Sequence, residues 1–284
     1  MSNVSNTSNT LFVLVHGAWH SSWQWAQTQR ALAGLGAVSL AVDLPGHGFD
    51  APVPSGYHAP GQPGFATEKS ALAGLTLEEC AGSVVSALRA VSGHRRVVLV
   101  SHSAGGVSAS LAAEQAPELV DELVYLTSVV PAARPRFADY MAAPEQAATA
   151  RGQGLVVGDP EAIGAFRVNP LSADPEYGEA LRLAYYHDVP AESFARWRHA
   201  LSPDMPFAIP TTPLTLTRER WGRIPRTFIR CAEDWALTPA LQDLMIAETD
   251  AAMPDQPFTV RTLPGSHSPF ATRPAELAAA LVQD

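Results

Sequence analysis

The sequence predicts an α/β class: a mostly parallel central sheet with helices on both faces and an inserted helical cap. Three observations predict it. Apolar, β-branched runs alternate along the chain with segments of helical periodicity. One of these runs, Val97-Val98-Leu99-Val100, leads directly into Ser101-His102-Ser103-Ala104-Gly105-Gly106, a turn of small residues that continues as a helical pattern. Residues 131–222 read differently, as short helical patterns with Pro-rich joints and many aromatic side chains. The chain has 284 residues, 46% hydrophobic and 17% charged, enough to bury the core of one α/β domain with an insertion. The expected division is a core of residues 1–130 and 223–284 and a cap of residues 131–222.

Each element has its own signal. Leu11-Phe12-Val13-Leu14-Val15 is continuously apolar and ends at His16-Gly17, as a buried parallel strand should. Residues 21–35 read as a helix with Trp23, Ala26, Ala31 and Leu32 among its apolar positions. Residues 38–42 read as a second strand. Residues 49–75 hold several Pro and Gly and no period, which predicts a long surface loop. Thr76-Leu77-Glu78-Glu79 is a capping-box pattern. Behind it Cys80, Ala81, Val84, Val85, Leu88 and Val91 recur at helical spacing, and Ser92-Gly93 ends the pattern. Strands are expected within 122–130, at 227–231 and at 258–263, with helices over 239–249 and 275–282. Within the cap, Phe166, Phe194, Trp197, Trp221, Tyr140, Tyr185 and Tyr186 stand among joints at Pro203, Pro206, Pro210 and Pro213. For each of them singly, core packing is the expectation.

The turn at 101–106 is a strand-to-helix elbow with Ser103 at its apex. Such an elbow needs small residues two before and two after the apex, and here these are Ser101 and Gly105. A serine hydroxyl is a weak nucleophile until a base is delivered to it. In parallel α/β sheets the chemistry gathers beyond the carboxyl ends of the strands, so base and acid should follow strands. His267, in the turn Pro264-Gly265-Ser266-His267-Ser268, meets that condition among nine histidines. His102 adjoins the apex but should point away from it and pack. His16, His20 and His47 lie near strand ends and suit structural or pocket roles. Asp234 follows the penultimate strand, with Glu233 and Asp43 as its rivals. Ser103, Asp234 and His267 then serve as nucleophile, orienting acid and base. Backbone N–H groups of Ala104 and of Ala18, in the loop after the first strand, suit an oxyanion. Trp19, Trp235 and Phe270 flank these residues and are expected to line the substrate cavity.

Composition excludes several classes. Nineteen Lys and Arg against 28 Asp and Glu give a formal charge of −9 and no basic face, so nucleic acid is not expected as a partner. Cys80 and Cys231 are too few for a disulfide framework and read as buried free thiols. No Cys, His or Asp cluster has ligand spacing, so neither metal nor cofactor is expected. No apolar run approaches eighteen residues, and the polar start, Met1 to Thr10, lacks the pattern of a signal peptide. These features predict no membrane partner and a cytoplasmic protein.

With these residues in place the chain resembles an α/β-hydrolase, and within that fold the plant methylesterase and hydroxynitrile-lyase group and its bacterial esterase relatives. The resemblance rests on Val15-His16-Gly17-Ala18-Trp19-His20, Asp43-Leu44, Ser101 to Gly106, Cys231-Ala232-Glu233-Asp234 and Gly265-Ser266-His267. It implies a triad at Ser103, Asp234 and His267 and oxyanion donors at Ala18 and Ala104. Three departures stand out. Ser101 replaces the usual elbow glycine, the 49–75 loop is longer, and Gly17 and Ser268 stand where the lyases carry Thr and Lys. The last departure argues against cyanohydrin cleavage. The expected activity is hydrolysis of a carboxylic ester or lactone with a largely apolar body, a small-molecule substrate. Acyl transfer or ring closure with the same triad, and a non-catalytic receptor on the same fold, are the alternatives.

Overall fold

The computed structural model describes residues 9–91, 93, 96–147, 149–152 and 154–283. Most of the Met1–Thr10 stretch, and Ser92 at the expected helix end, lie outside the described residues. The chain enters its sheet at β1 (Thr10–Val15). A 3-10 turn over Ser22–Trp25 leads into α1 (Ala26–Gly34) and then β2 (Val38–Val42). After the 49–75 segment come α2 (Leu77–Ala90), β3 (Arg96–Ser103), α3 (Gly105–Gln115) and β4 (Glu122–Ser128). An insertion follows with α4 (Phe137–Met141), α5 (Pro144–Ala147), α6 (Pro160–Ile163), β5 (Ala165–Arg167) and α7 (Pro175–Tyr186). It closes with α8 (Ala191–His199), β6 (Asp204–Pro206) and α9 (Ala208–Thr211). The sheet resumes at β7 (Arg226–Cys231), followed by α10 (Pro239–Ala252), β8 (Thr259–Leu263), α11 (Pro269–Thr272) and α12 (Pro274–Val282).

The six sheet strands run in the order β2-β1-β3-β4-β7-β8, and every neighbouring pair is parallel. Parallel pairing needs a crossover between strands, and the helices supply it on both faces. Strand periodicity divides the core accordingly. Leu11, Val13 and Val15 of β1, with Val97 and Leu99 of β3, face α2, α3 and α10. Phe12 and Leu14, with Val98 and Val100, face α1 and α12. From β1 the chain moves outward to β2 and then returns to the other side of β1 as β3. The order therefore reverses between β1 and β3, which opens a crevice beyond their carboxyl ends. The two loops leaving these strands carry His16–Trp19 and Ser103.

Local signals explain most elements. The capping box before α2 is present: Glu79 N–H donates to Thr76 Oγ1 at 3.1 Å, and Thr76 N–H to Glu79 Oε2 at 2.9 Å. Leu77, Cys80, Ala81, Val84, Val85 and Leu88 are its buried face. Both cysteines are free and buried. Among the described residues no helix is long and apolar enough to cross a membrane.

The structure departs from the periodicity in three places. Trp23 is 62% exposed, because the 3-10 turn rotates it off the face that α1 buries. Trp221, at the end of the inserted segment, packs in the core of the sheet and donates to the Tyr125 hydroxyl at 2.9 Å. The 49–75 segment is more than a surface loop. It winds through successive tight turns, each with an i to i+3 backbone bond, such as Pro54–Tyr57, Ala59–Gln62 and Gln62–Phe65. Turns repeat every three residues and leave no helical or strand period, yet they bury Tyr57, Phe65 and Leu72. Arg167 of β5 fastens this segment to the insertion. Its fully buried guanidinium is bidentate to Asp204 of β6 at 2.6 and 2.7 Å and donates to the Phe65 and Glu68 carbonyls at 2.6 and 2.9 Å.

Candidate active site

The elbow is built by steric demand. Ser103 has φ of 53°, a left-handed conformation that a side-chain-bearing residue adopts only when its surroundings impose it. The β3–β4 register slips between His102 and Ser103 at this point. A Cβ on Gly105 would stand 2.2 Å from the His16 carbonyl oxygen, so α3 approaches β1 only through glycine. Ser101 is accommodated because its hydroxyl turns toward β4. It meets Ser128 Oγ at 3.2 Å, and Ser128 in turn donates to the Ser103 carbonyl at 2.8 Å. The serine that replaces the usual glycine thus joins a polar brace under the apex.

His267 and Asp234 meet from neighbouring strand ends. Asp234 follows β7, His267 follows β8, and His267 Nδ1–H donates to Asp234 Oδ2 at 2.7 Å. Both side chains are buried. The carboxylate is held on all sides. Ala236 and Leu237 N–H donate to Oδ1 at 2.7 and 2.9 Å, and Thr127 Oγ1 donates to Oδ2 at 2.5 Å. Thr127 has φ of 34°, which is unusual for a β-branched residue, and it turns its hydroxyl to the acid. The His267 loop is fixed by Asp188, whose Oδ2 accepts from Ser266 N–H at 3.2 Å and Thr272 Oγ1 at 2.9 Å. Glu233 is exposed and uses its carbonyl to accept from His187 Nε2–H at 2.7 Å, so the adjacent carboxylate plays no part in this pairing. Asp43 instead binds Ser22.

The loop after β1 closes onto the apex. A Cβ on Gly17 would lie 2.8 Å from both Ser103 Cβ and His102 Nδ1, so only glycine permits the approach. His16 Nδ1–H donates to the Gly17 carbonyl at 2.8 Å while its Nε2 accepts from Leu44 N–H at 3.1 Å. In a trans peptide the N–H points opposite to the preceding carbonyl, so this bond aims Ala18 N–H away from His16. His20 similarly holds the Ala18 carbonyl at 2.7 Å and accepts from the Tyr186 hydroxyl. His102 Nε2–H donates to the His267 carbonyl at 2.9 Å, and its ring turns from the apex as expected. Burial, first, lowers the pKa of all three, that of His20 to about 3, and neighbouring imidazoles add to it. They are neutral donors and acceptors with fixed tautomers.

Ser103, His267, Ala18 and Ala104 line one cavity of about 360 Å³. Among the described residues no hydrogen bond joins Ser103 to His267; such contacts commonly tighten only with substrate in place. The rest of the lining is mainly apolar, with Phe137, Met141, Val156, Phe166, Met205 and Leu237, and no charged side chain among the described residues. Trp19 is among its lining residues. Its indole donates to the Phe166 carbonyl at 2.8 Å and its own carbonyl accepts from Ser202 N–H at 2.7 Å, so two bonds tie the loop after β1 to the insertion. Trp235 and Phe270 require correction, since neither is among the lining residues. Trp235 stacks outward on His187 at 4.2 Å, with the Arg151 guanidinium 5.0 Å from its ring. Phe270 is fully buried and packs against Trp25, His102 and Trp197. Proximity in sequence to Asp234 and His267 did not bring these rings to the same cavity.

Sequence reasoning missed Thr127, Asp188 and Gln146. Thr127 sits at the carboxyl end of β4, where a polar residue after an apolar run was the available signal. Asp188 and Gln146 come from the insertion and carried none.

The strained serine at the β3–α3 elbow and the histidine of the His267–Asp234 pair thus line one cavity beyond the ends of β3 and β8. A model of the alpha/beta hydrolase family matches residues 12–280, and the chain belongs to that family. Methylesterase 1 of Arabidopsis thaliana is 26% identical over 245 residues, 83% of this chain and 82% of that protein. Methyl jasmonate esterase 1 of Vitis vinifera is 26% identical over 279 residues, 95% and 94% of the two chains. A pyrethroid hydrolase from Sphingobium faniae JZ-2 superposes with a TM-score of 0.74 at 24% identity, over 96% of this chain and 95% of that one, and so shares the fold.

Proposed function

We propose that the protein is a carboxylic ester hydrolase that works through an acyl-enzyme on Ser103. The observation that carries this reading is that His267, bonded on its far side to the buried Asp234, lines the same cavity as the strained Ser103. His267 takes the Ser103 proton as the oxygen attacks the ester carbonyl. The carbonyl oxygen becomes an oxyanion between the N–H groups of Ala18 and Ala104. His267 then protonates the departing alcohol, and water releases the acid by the same steps in reverse roles. Asp234 keeps the proton on Nδ1, so that Nε2 remains the base. Removing one oxyanion donor typically costs about 3–4 kcal/mol of transition-state stabilisation. Esterase names among the relatives support ester over other acyl chemistry. The lining favours an uncharged substrate, because an ion would lose its hydration without gaining a counter-charge. Neutral methyl esters and lactones fit this description.

The test compares kcat/KM for neutral esters, amides, phosphate esters and cyanohydrins of similar size. The reading predicts preference for neutral esters and loss of their turnover in Ser103→Ala. Preference for phosphate esters or cyanohydrins would overturn it.

A further inference from the structure

Among the described residues that line the cavity, one polar side chain serves neither the proposed hydrolytic steps nor a hydrogen bond to the protein. Tyr185 lies in the last turn of α7 and lines the cavity. Its ring stands edge-on to Trp19 at 5.7 Å and 5.8 Å from the His267 ring. Its hydroxyl reaches toward Gly152, where an added Cβ would stand 3.3 Å from the oxygen. Other tyrosines place their hydroxyls on the protein. Tyr125 meets Ser110 and Trp221, Tyr177 donates to the Leu155 carbonyl, and Tyr186 bonds His20. Tyr185 has no such partner among the described residues. The other polar groups of the lining are committed: Gln146 donates to the Ala236 carbonyl and accepts from Thr238 N–H, and the Trp19 indole is bonded to Phe166. Partly buried hydroxyls ordinarily find a partner, and leaving one unmade is costly.

We infer that the Tyr185 hydroxyl hydrogen-bonds an acceptor oxygen on the body of the substrate, and that the substrate is therefore a neutral ester carrying a second oxygen, such as a ketone or ether. This inference rests on the ester-hydrolase reading and deepens it. Burial pushes the phenol pKa up, so Tyr185 remains a donor across the working range. An ether or ketone accepts one hydrogen bond without bringing charge into an apolar cavity, which is the chemistry the lining allows. A site built around one such bond discriminates against the analogue that lacks it, because the donor is then left unpaired.

The experiment compares methyl esters of ω-oxo and ω-methoxy acids with plain alkanoate esters of equal length, over a series of chain lengths. At one length the wild type should favour the oxygen-bearing ester by about tenfold in kcat/KM, the typical worth of a single bond of this kind. Tyr185→Phe should erase that preference through KM, read as the ratio of the two esters within each protein. Fluorophosphonate labelling of Ser103 at an equal rate in both proteins shows that the elbow and base are intact in the variant. Equal labelling with the preference retained, or no oxygen preference at any length in the wild type, overturns the role of Tyr185. Absence of labelling in the wild type overturns the ester-hydrolase reading itself, and this inference with it.

Discussion

Asp234 is the immediate neighbour of Glu233 and is distinguished from it by its surroundings. Its carboxylate accepts four hydrogen bonds in a buried site, whereas Glu233 faces solvent. Asp234→Asn should therefore lower kcat by about 10⁴, because the amide turns the imidazole to the wrong tautomer. Glu233→Gln should leave kcat within a small factor, and steady-state kinetics on one neutral ester decides between them. Thr127→Val keeps the shape of the side chain and removes one donor to the carboxylate. About a tenfold loss in kcat is expected, in keeping with a hydrogen bond to a charged group, with KM nearly unchanged. Ser103 and His267 stand out as candidates in the sequence because each sits in a turn of small residues directly after a strand run. Asp234 needed its place in the chain order. Thr127 and Asp188 were not legible, since their roles depend on contacts that close only when strands β4, β7 and β8 and the insertion come together. Trp235 and Phe270 show the converse, because neighbours in sequence can leave a strand end in different directions.

The strands and their helices were read from apolar periodicity, and the capping box marked the start of α2. The 49–75 segment and the small β5–β6 sheet escaped that reading. A chain of tight turns has no period, and three-residue strands are too short to show one. What organises both is a single long-range ion pair. Arg167 binds Asp204 across β5–β6 and also carries the carbonyls of Phe65 and Glu68. Arg167→Met would leave Asp204 buried without a partner, so a loss of about 3–5 kcal/mol is expected, read as a lower urea midpoint. Arg167→Met with Asp204→Leu should recover much of it, because no charge is then stranded. The loop after β1, which carries the proposed oxyanion donor Ala18, depends on the insertion in a similar way, through Trp19. Trp19→Phe removes the bond to Phe166 while keeping an aromatic wall. Its cost should fall on kcat more than on KM, as expected for a donor that matters most in the transition state.

The molecule as a whole concentrates neutral histidines around its crevice. His16, His20, His47 and His102 are all buried with lowered pKa, first because burial disfavours the charged ring. Their folded-state values lie below the ordinary value of 6.5, so the unfolded chain binds protons more readily. Stability is complete above about pH 6.5 and falls as pH drops toward the folded values. For His20, whose pKa is about 3, the window runs from 6.5 down to 3, and about 2 kcal/mol is lost by pH 5. Urea melts between pH 7 and pH 4.5 should show this slope, and His20→Gln should flatten it. A stability that rises as pH falls below 6 would contradict the assignment.

Ser103 is the proposed nucleophile, and its covalent chemistry can be read directly. The protein is treated with a fluorophosphonate, its intact mass is measured, and the adduct is located by peptide mapping. A single adduct on Ser103, absent in Ser103→Ala and formed far more slowly in His267→Ala, is the predicted result. An unmodified wild type, an adduct on another residue, or ester turnover that survives in Ser103→Ala would contradict it.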